Sequence, residues 1–154
     1  LFYVGAVKLR ENKMWVRVVF MAFAATLLEL ICGLFIKYVL GMRAWNYTHN
    51  FLNYKGIVCL KFSLAWAMAA FCFCKLYPYI HNFLIRFNKK KYNCFCVVCS
   101  VVLAVDMLLA GVSIIRWSDR HYGFQAETQF EKEIDIEAPD EWMESHFMDW
   151  HFLE

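Results

Sequence analysis

Three long apolar runs dominate this chain, at residues 15–40, 57–80 and 92–115. A run of about 18 or more such residues marks a helix that crosses a bilayer, because the hydrocarbon layer is about 30 Å thick and a helix rises about 1.5 Å per residue. Hydrophobic residues make up 61% of the sequence and the mean hydropathy is +0.40, against roughly 45–50% apolar residues in an ordinary soluble domain. The composition argues against a water-soluble enzyme. The expected fold is an all-α, polytopic membrane helix bundle over residues 1–117, followed by an acidic, partly helical tail over 118–154. Residues 1–9 read as the end of a further apolar segment. Residues 41–56 read as a short loop or interfacial segment with glycine at both ends. The second span is expected to end near Pro78, since proline interrupts regular helical hydrogen bonding.

Charge is distributed unevenly. Residues 1–115 hold 13 Lys and Arg and only three acids, Glu11, Glu29 and Asp106, whereas residues 116–154 hold three basic residues and 11 acids. Lys8, Arg10, Lys13 and Arg17 precede the first span, and Arg86, Lys89, Lys90 and Lys91 precede the third. The positive-inside rule places both groups at the cytoplasm, with the 41–56 loop and the tail outside. The lipid bilayer is the partner this pattern implies. Nucleic acid is not, because the basic residues sit at span ends and form no aromatic-interleaved stripe.

Glu29 and Asp106 each lie about 14 residues into their spans, which puts both carboxyl groups at a similar depth by helix rise. A carboxylate near the bilayer centre costs at least ~2.5–3.5 kcal/mol on insertion scales. Both acids are therefore expected to face protein, with at least one neutral or paired with a cation. Lys61 and Lys75 are candidate cations, although their positions near the ends of the second span favour snorkelling to the headgroups. Small residues accompany the acids at helical spacing: Ala22, Ala25, Thr26, Glu29 and Gly33 in the first span, and Cys99, Asp106, Ala110 and Ser113 in the third. Ser63, Ala67, Ala70 and Cys74 form a similar stripe in the second. Such stripes permit close helix approach in lipid and are expected to face one another. The acids then form either an ion, proton or substrate pathway or a clamp that fixes helix register, and the two roles carry equal weight.

Other motifs are weaker. Cys96 and Cys99 form a C-x-x-C, but inside an apolar helix and without a second ligand pair they read as packing residues. No metal site or cofactor is expected. Asn46, Tyr47 and Thr48 match the three-residue N-x-T acceptor pattern, which matters only in a secretory pathway. The histidines lack metal-ligand spacing, and neither a P-loop nor a G-x-S-x-G elbow is present. In the tail, residues up to about Ile136 read as flexible or locally ordered. Pro139, Asp140 and Glu141 then start a helix expected to run to residue 153, with Met143, Phe147 and Trp150 on one face. Docking of this helix on a basic protein surface is favoured over a membrane surface, whose anionic lipids would repel it.

Leu27–Glu29 (L-L-E), Gly41–Thr48 (G-M-R-A-W-N-Y-T), Asn53–Leu60 (N-Y-K-G-I-V-C-L) and Phe62–Trp66 (F-S-L-A-W), with Asp106, Ser113 and Arg116 in the third span, resemble the ABC-transporter type IV family of small bacterial membrane proteins. The likeness runs from about Phe20 to Trp117. It implies a permease-type subunit of the bacterial plasma membrane that has no ATPase of its own and works with a separate ATPase subunit or other membrane protein. Self-association into a homo-oligomer is also open. The site residues it implies are Glu29, Asp106, Ser63, Ser113 and Arg116 in the spans, with Trp45, Asn46, Tyr47, Asn53, Gly56 and Trp66 in and after the loop. Asn46 and Ile57 stand where the family pattern usually has Asp and Arg, and the tail has no counterpart in it. A non-transporting membrane scaffold, in which the acids lock the helices and the tail recruits a partner, is the alternative. A lipid-modifying enzyme is disfavoured, because helix rise places the acids about 15 Å or more from the loop.

Overall fold

The computed structural model describes residues 1–86 and 89–153, so part of the basic turn at 86–91 lies outside the described residues. The chain is all-α with three membrane-length helices, and it divides into two compact units. Unit 1 comprises Leu1–Leu34 and Trp45–Asn88; unit 2 comprises Phe35–Ala44 and Lys89–Glu154.

In unit 1, the short helix α1 (Phe2–Lys8) precedes α2 (Met14–Tyr38), whose last turn belongs to unit 2, and α3 (Leu60–Leu84) follows the loop. Helices α2 and α3 have 25 residues each, about 37 Å at the helical rise and enough for the hydrocarbon layer with some tilt. Met21, Ala70 and Cys74 form a buried cluster, with Phe2, Met14 and Val18 packed around it. Gly5 is required there: a β-carbon on it would lie 2.4 Å from Cγ of Met21, which is itself fully buried. The small stripes of α2 and α3 meet where Thr26 donates to the Ser63 hydroxyl at 3.2 Å. The expected end near Pro78 is exceeded, since α3 continues to Leu84 with Pro78 inside it. In a membrane helix one missing backbone bond does not stop the remaining residues from satisfying theirs.

Unit 2 is built on α4 (Lys89–His121), 33 residues long. It runs past Arg116 and Trp117 because both are buried by the returning tail. In the tail, the stretch read as flexible or locally ordered holds one local helix, and the last helix is shorter than the sequence suggests. Helix α5 (Gln129–Glu137) is fixed by a reciprocal capping box between Thr128 and Glu131. Helix α6 stops at Asp140–His146, short of residue 153, and the chain then pairs antiparallel as β2 (His151–Phe152) with β1 (Met42–Arg43). The helix gives way because Phe147, Trp150 and Phe152 are drawn into a cluster with Leu40, Met42, Trp117, Ala138 and Met143. Ser118 donates to the carbonyl of Leu40 at 2.7 Å, satisfying an acceptor just beyond the α2 terminus.

Candidate functional site

Glu29 is half-buried in α2, and two donors from other segments hold its carboxylate. The Tyr47 hydroxyl donates to Oε1 at 3.2 Å, and the indole N–H of Trp66 on α3 donates to Oε2 at 3.1 Å. Hydrogen bonds to an ionised group are stronger than neutral ones, so this pair ties the loop and α3 to one point on α2.

The loop reaches Glu29 because its polar residues satisfy its own backbone. Asn46 Oδ1 accepts from the Thr48 amide at 3.1 Å, while the Asn53 amide donates to the carbonyls of Thr48 and Asn50, both at 3.0 Å. Asn53 Oδ1 accepts from the Gly56 amide at 3.2 Å, and the Tyr47 amide donates to the Gly56 carbonyl at 2.8 Å. Gly56 adopts φ +71° and has no room for a β-carbon, which would lie 2.8 Å from Thr48 Cγ2. With its backbone satisfied, the loop presents aromatic residues to α2. The Trp45 indole donates to the Ile57 carbonyl at 2.7 Å, and the Tyr47 ring stacks on Phe62 with centroids 4.4 Å apart. Gly33, one turn beyond Glu29, accepts the loop directly: a β-carbon on it would lie 2.2 Å from Ile57 Cγ2 and 3.2 Å from the Trp45 ring. Burial, and then the neighbouring Glu29 carboxylate, push the Tyr47 phenol up to about 12, so it remains a donor across the physiological range.

This geometry corrects one expectation. The separation of about 15 Å between the acids and the loop assumed that the loop stays beyond the helix end. Instead it folds back along α2, and Tyr47 touches Glu29. Next to the carboxylate lies a cavity of about 630 Å³, lined by Glu29, Trp45, Tyr47, Trp66, Phe2 and Leu28 among others.

The remaining expected residues fall elsewhere. Ser63 bonds Thr26, and Asn46, Asn53 and Gly56 shape the loop rather than line the cavity. Asp106 is exposed on α4, with no hydrogen bond or ion pair among the described residues, and Ser113 is half-buried on the same helix. No cation pairs with Glu29 among the described residues; Lys61 and Lys75 are exposed, beside the rings of Phe62 and Phe71.

Arg116 is 4% exposed and serves a separate arrangement in unit 2. Its guanidinium donates to Asp135 at 2.8 and 3.1 Å and to Asp119 at 3.2 Å. Arg120 also donates to Asp135, to Asp140 at 2.7 Å and to the Ala138 carbonyl at 2.9 Å. The acidic tail thus docks on the basic end of its own α4. Hydrogen bonds from Arg116 hold the Asp135 carboxyl below the usual carboxylate range. The sequence favours docking of the 139–153 helix on a basic protein surface; the basic surface is the end of the chain's own α4, where Arg120 meets Asp140 of α6 and both Arg116 and Arg120 meet Asp135 of α5.

A family model described as Putative ABC-transporter type IV matches residues 1–110. The chain belongs to this family. The match to the type IV family takes in Glu29, the loop, Trp66 and Asp106, and begins earlier than the likeness read from the motifs. Ser113, Arg116 and the tail lie beyond the matched residues. Comparison with curated proteins and with solved structures returns no match. The chain is thus an ABC-transporter-related protein with three helices fit to cross a membrane.

Proposed function

We propose that this chain is the membrane-embedded, permease-type component of a transporter of the bacterial plasma membrane, with no enzymatic activity of its own and with ATP hydrolysis supplied by a separate subunit. Arg10, Lys13 and Arg17 lie on the cytoplasmic side in this reading, and the 41–56 loop lies outside. The observation that carries it is Glu29: an ionisable residue in a membrane-length helix, beside a cavity wide enough for a small molecule. Intramembrane acids mark ion or substrate pathways by default, and cavities of about 300–1,000 Å³ are the size of ligand sites. Ser63, bonded to Thr26 on the facing helix, supports the walls of that pathway.

The test is co-purification in mild detergent followed by flux in vesicles. An associated ATPase subunit, and loss of flux in Glu29→Gln, are the expected results. Absence of any nucleotide-binding partner together with unchanged flux in the variant would refute the reading. The scaffold alternative draws on the same carboxylate, because Tyr47 and Trp66 approach it from two segments and tie them together. It predicts that Glu29→Gln lowers the melting temperature in detergent in the absence of any flux.

A further inference from the structure

The cavity beside Glu29 joins one carboxylate to several aromatic side chains, and among the described residues no Lys, Arg or His side chain lines it; Leu1 lies on its wall. Phe2 meets Trp66 edge-to-face with centroids 6.3 Å apart, and Trp45 and Tyr47 lie 6.4 Å apart at a tilt of 36°. Aromatic faces carry negative quadrupole density and attract cations within about 6 Å of a ring centre, most strongly where water is excluded. The Glu29 carboxyl, when ionised, adds a negative charge at the edge of the same space.

The ligand's chemistry can be narrowed further. A metal ion needs several oxygen ligands, but the described residues contain no cluster of three or more His, Cys, Asp or Glu able to hold one. Each Glu29 oxygen already accepts one hydrogen bond, from Tyr47 or from Trp66. What remains for a guest is mainly fixed charge and ring surface. This suits a cation that needs no strong hydrogen-bond acceptor, and the apolar walls from Phe2 and Leu28 suit one with hydrocarbon or aryl substituents.

From this the geometry points to the Glu29 cavity as a binding site for a lipophilic organic cation of the quaternary ammonium or phosphonium class, held by Glu29 and the rings of Trp45, Tyr47 and Trp66. The site is a property of unit 1 and stands whether or not the chain transports. If the transport reading holds, it also names the substrate class.

The test uses the full chain in neutral detergent with two probes of nearly equal shape and opposite charge, tetraphenylphosphonium and tetraphenylborate, measured by equilibrium dialysis against empty micelles. Saturable binding of the cation, at least about tenfold tighter than of the anion, is expected. Glu29→Gln should weaken cation binding by about tenfold or more, and Trp66→Phe, which keeps a ring face, should weaken it less. Equal binding of the two probes would overturn the proposal, as would unchanged cation binding in a Glu29→Gln protein that melts like the parent. The probe comparison in the parent chain needs no variant to fold. Because no flux or ATPase enters the measurement, its failure is distinct from failure of the transport reading.

Discussion

The two units hold a charged side chain in place by opposite means. In unit 1, the Glu29 carboxyl receives neutral donors, a phenol and an indole, beside a cavity, and no cation pairs with it among the described residues. In unit 2, Arg116 is almost fully buried and is neutralised by Asp135 and Asp119. A charge met only by dipoles remains available to a ligand, whereas one met by opposite charge is spent on holding structure. This contrast assigns recognition to the first unit and tail docking to the second.

The sharpest way to break the contrast is to remove a carboxylate from unit 2. Asp135→Asn leaves Arg116 buried with a weakened partner, and breaking a buried pair costs about 3 kcal/mol or more. Amide exchange over residues 128–146 should rise strongly in this variant, while exchange in residues 45–58 stays at the parental rate. Acid should act in the same direction. The folded Asp135 carboxyl titrates below its unfolded value, so its stabilisation is fully present above the unfolded value of roughly 3.9. It is lost as pH falls through the lowered folded value. Limited proteolysis at stepped pH should therefore release the tail only at strongly acid pH, and release at neutral pH would contradict the ion-pair account.

In unit 1 the largest effect should come from Gly33→Ala, whose new methyl group meets Ile57 and Trp45. Overpacking of this kind costs about 1–3 kcal/mol. The loop should loosen, read as quenching of Trp45 fluorescence by a soluble quencher, without change in tail exchange. Trp66→Phe removes one donor to a carboxylate at a half-exposed position and should lower stability by about 1 kcal/mol, measured as a modest drop in melting temperature. Smaller still, an absorbance titration should show one tyrosine ionising near 12, with its midpoint lowered in Glu29→Gln because part of the shift comes from that carboxylate.

Much of this organisation was legible in the amino acids. Periodicity and run length located the three membrane-length helices, and Glu29 announced itself as an acid in an apolar helix. The partners of Glu29 were not legible, because they depend on a loop reversing direction through Gly56 and the Asn53 side chain, and helix rise gives no information about a chain that folds back. Gly33 read as a small residue for helix contact but serves the loop. Thr128 and Glu131 carried a capping signature at the right spacing, in a segment whose polarity and poor periodicity left flexible and locally ordered chain equally open. Asp106 looked equivalent to Glu29, yet it is exposed on α4 whereas Glu29 is half-buried.

The central claim is that the loop folds onto α2 and that Tyr47 bonds the Glu29 carboxylate. A double-mutant cycle of Tyr47→Phe and Glu29→Gln, scored by stability in detergent, measures that bond directly. The account predicts a coupling of about 1 kcal/mol or more; strictly additive effects of the two substitutions would contradict it.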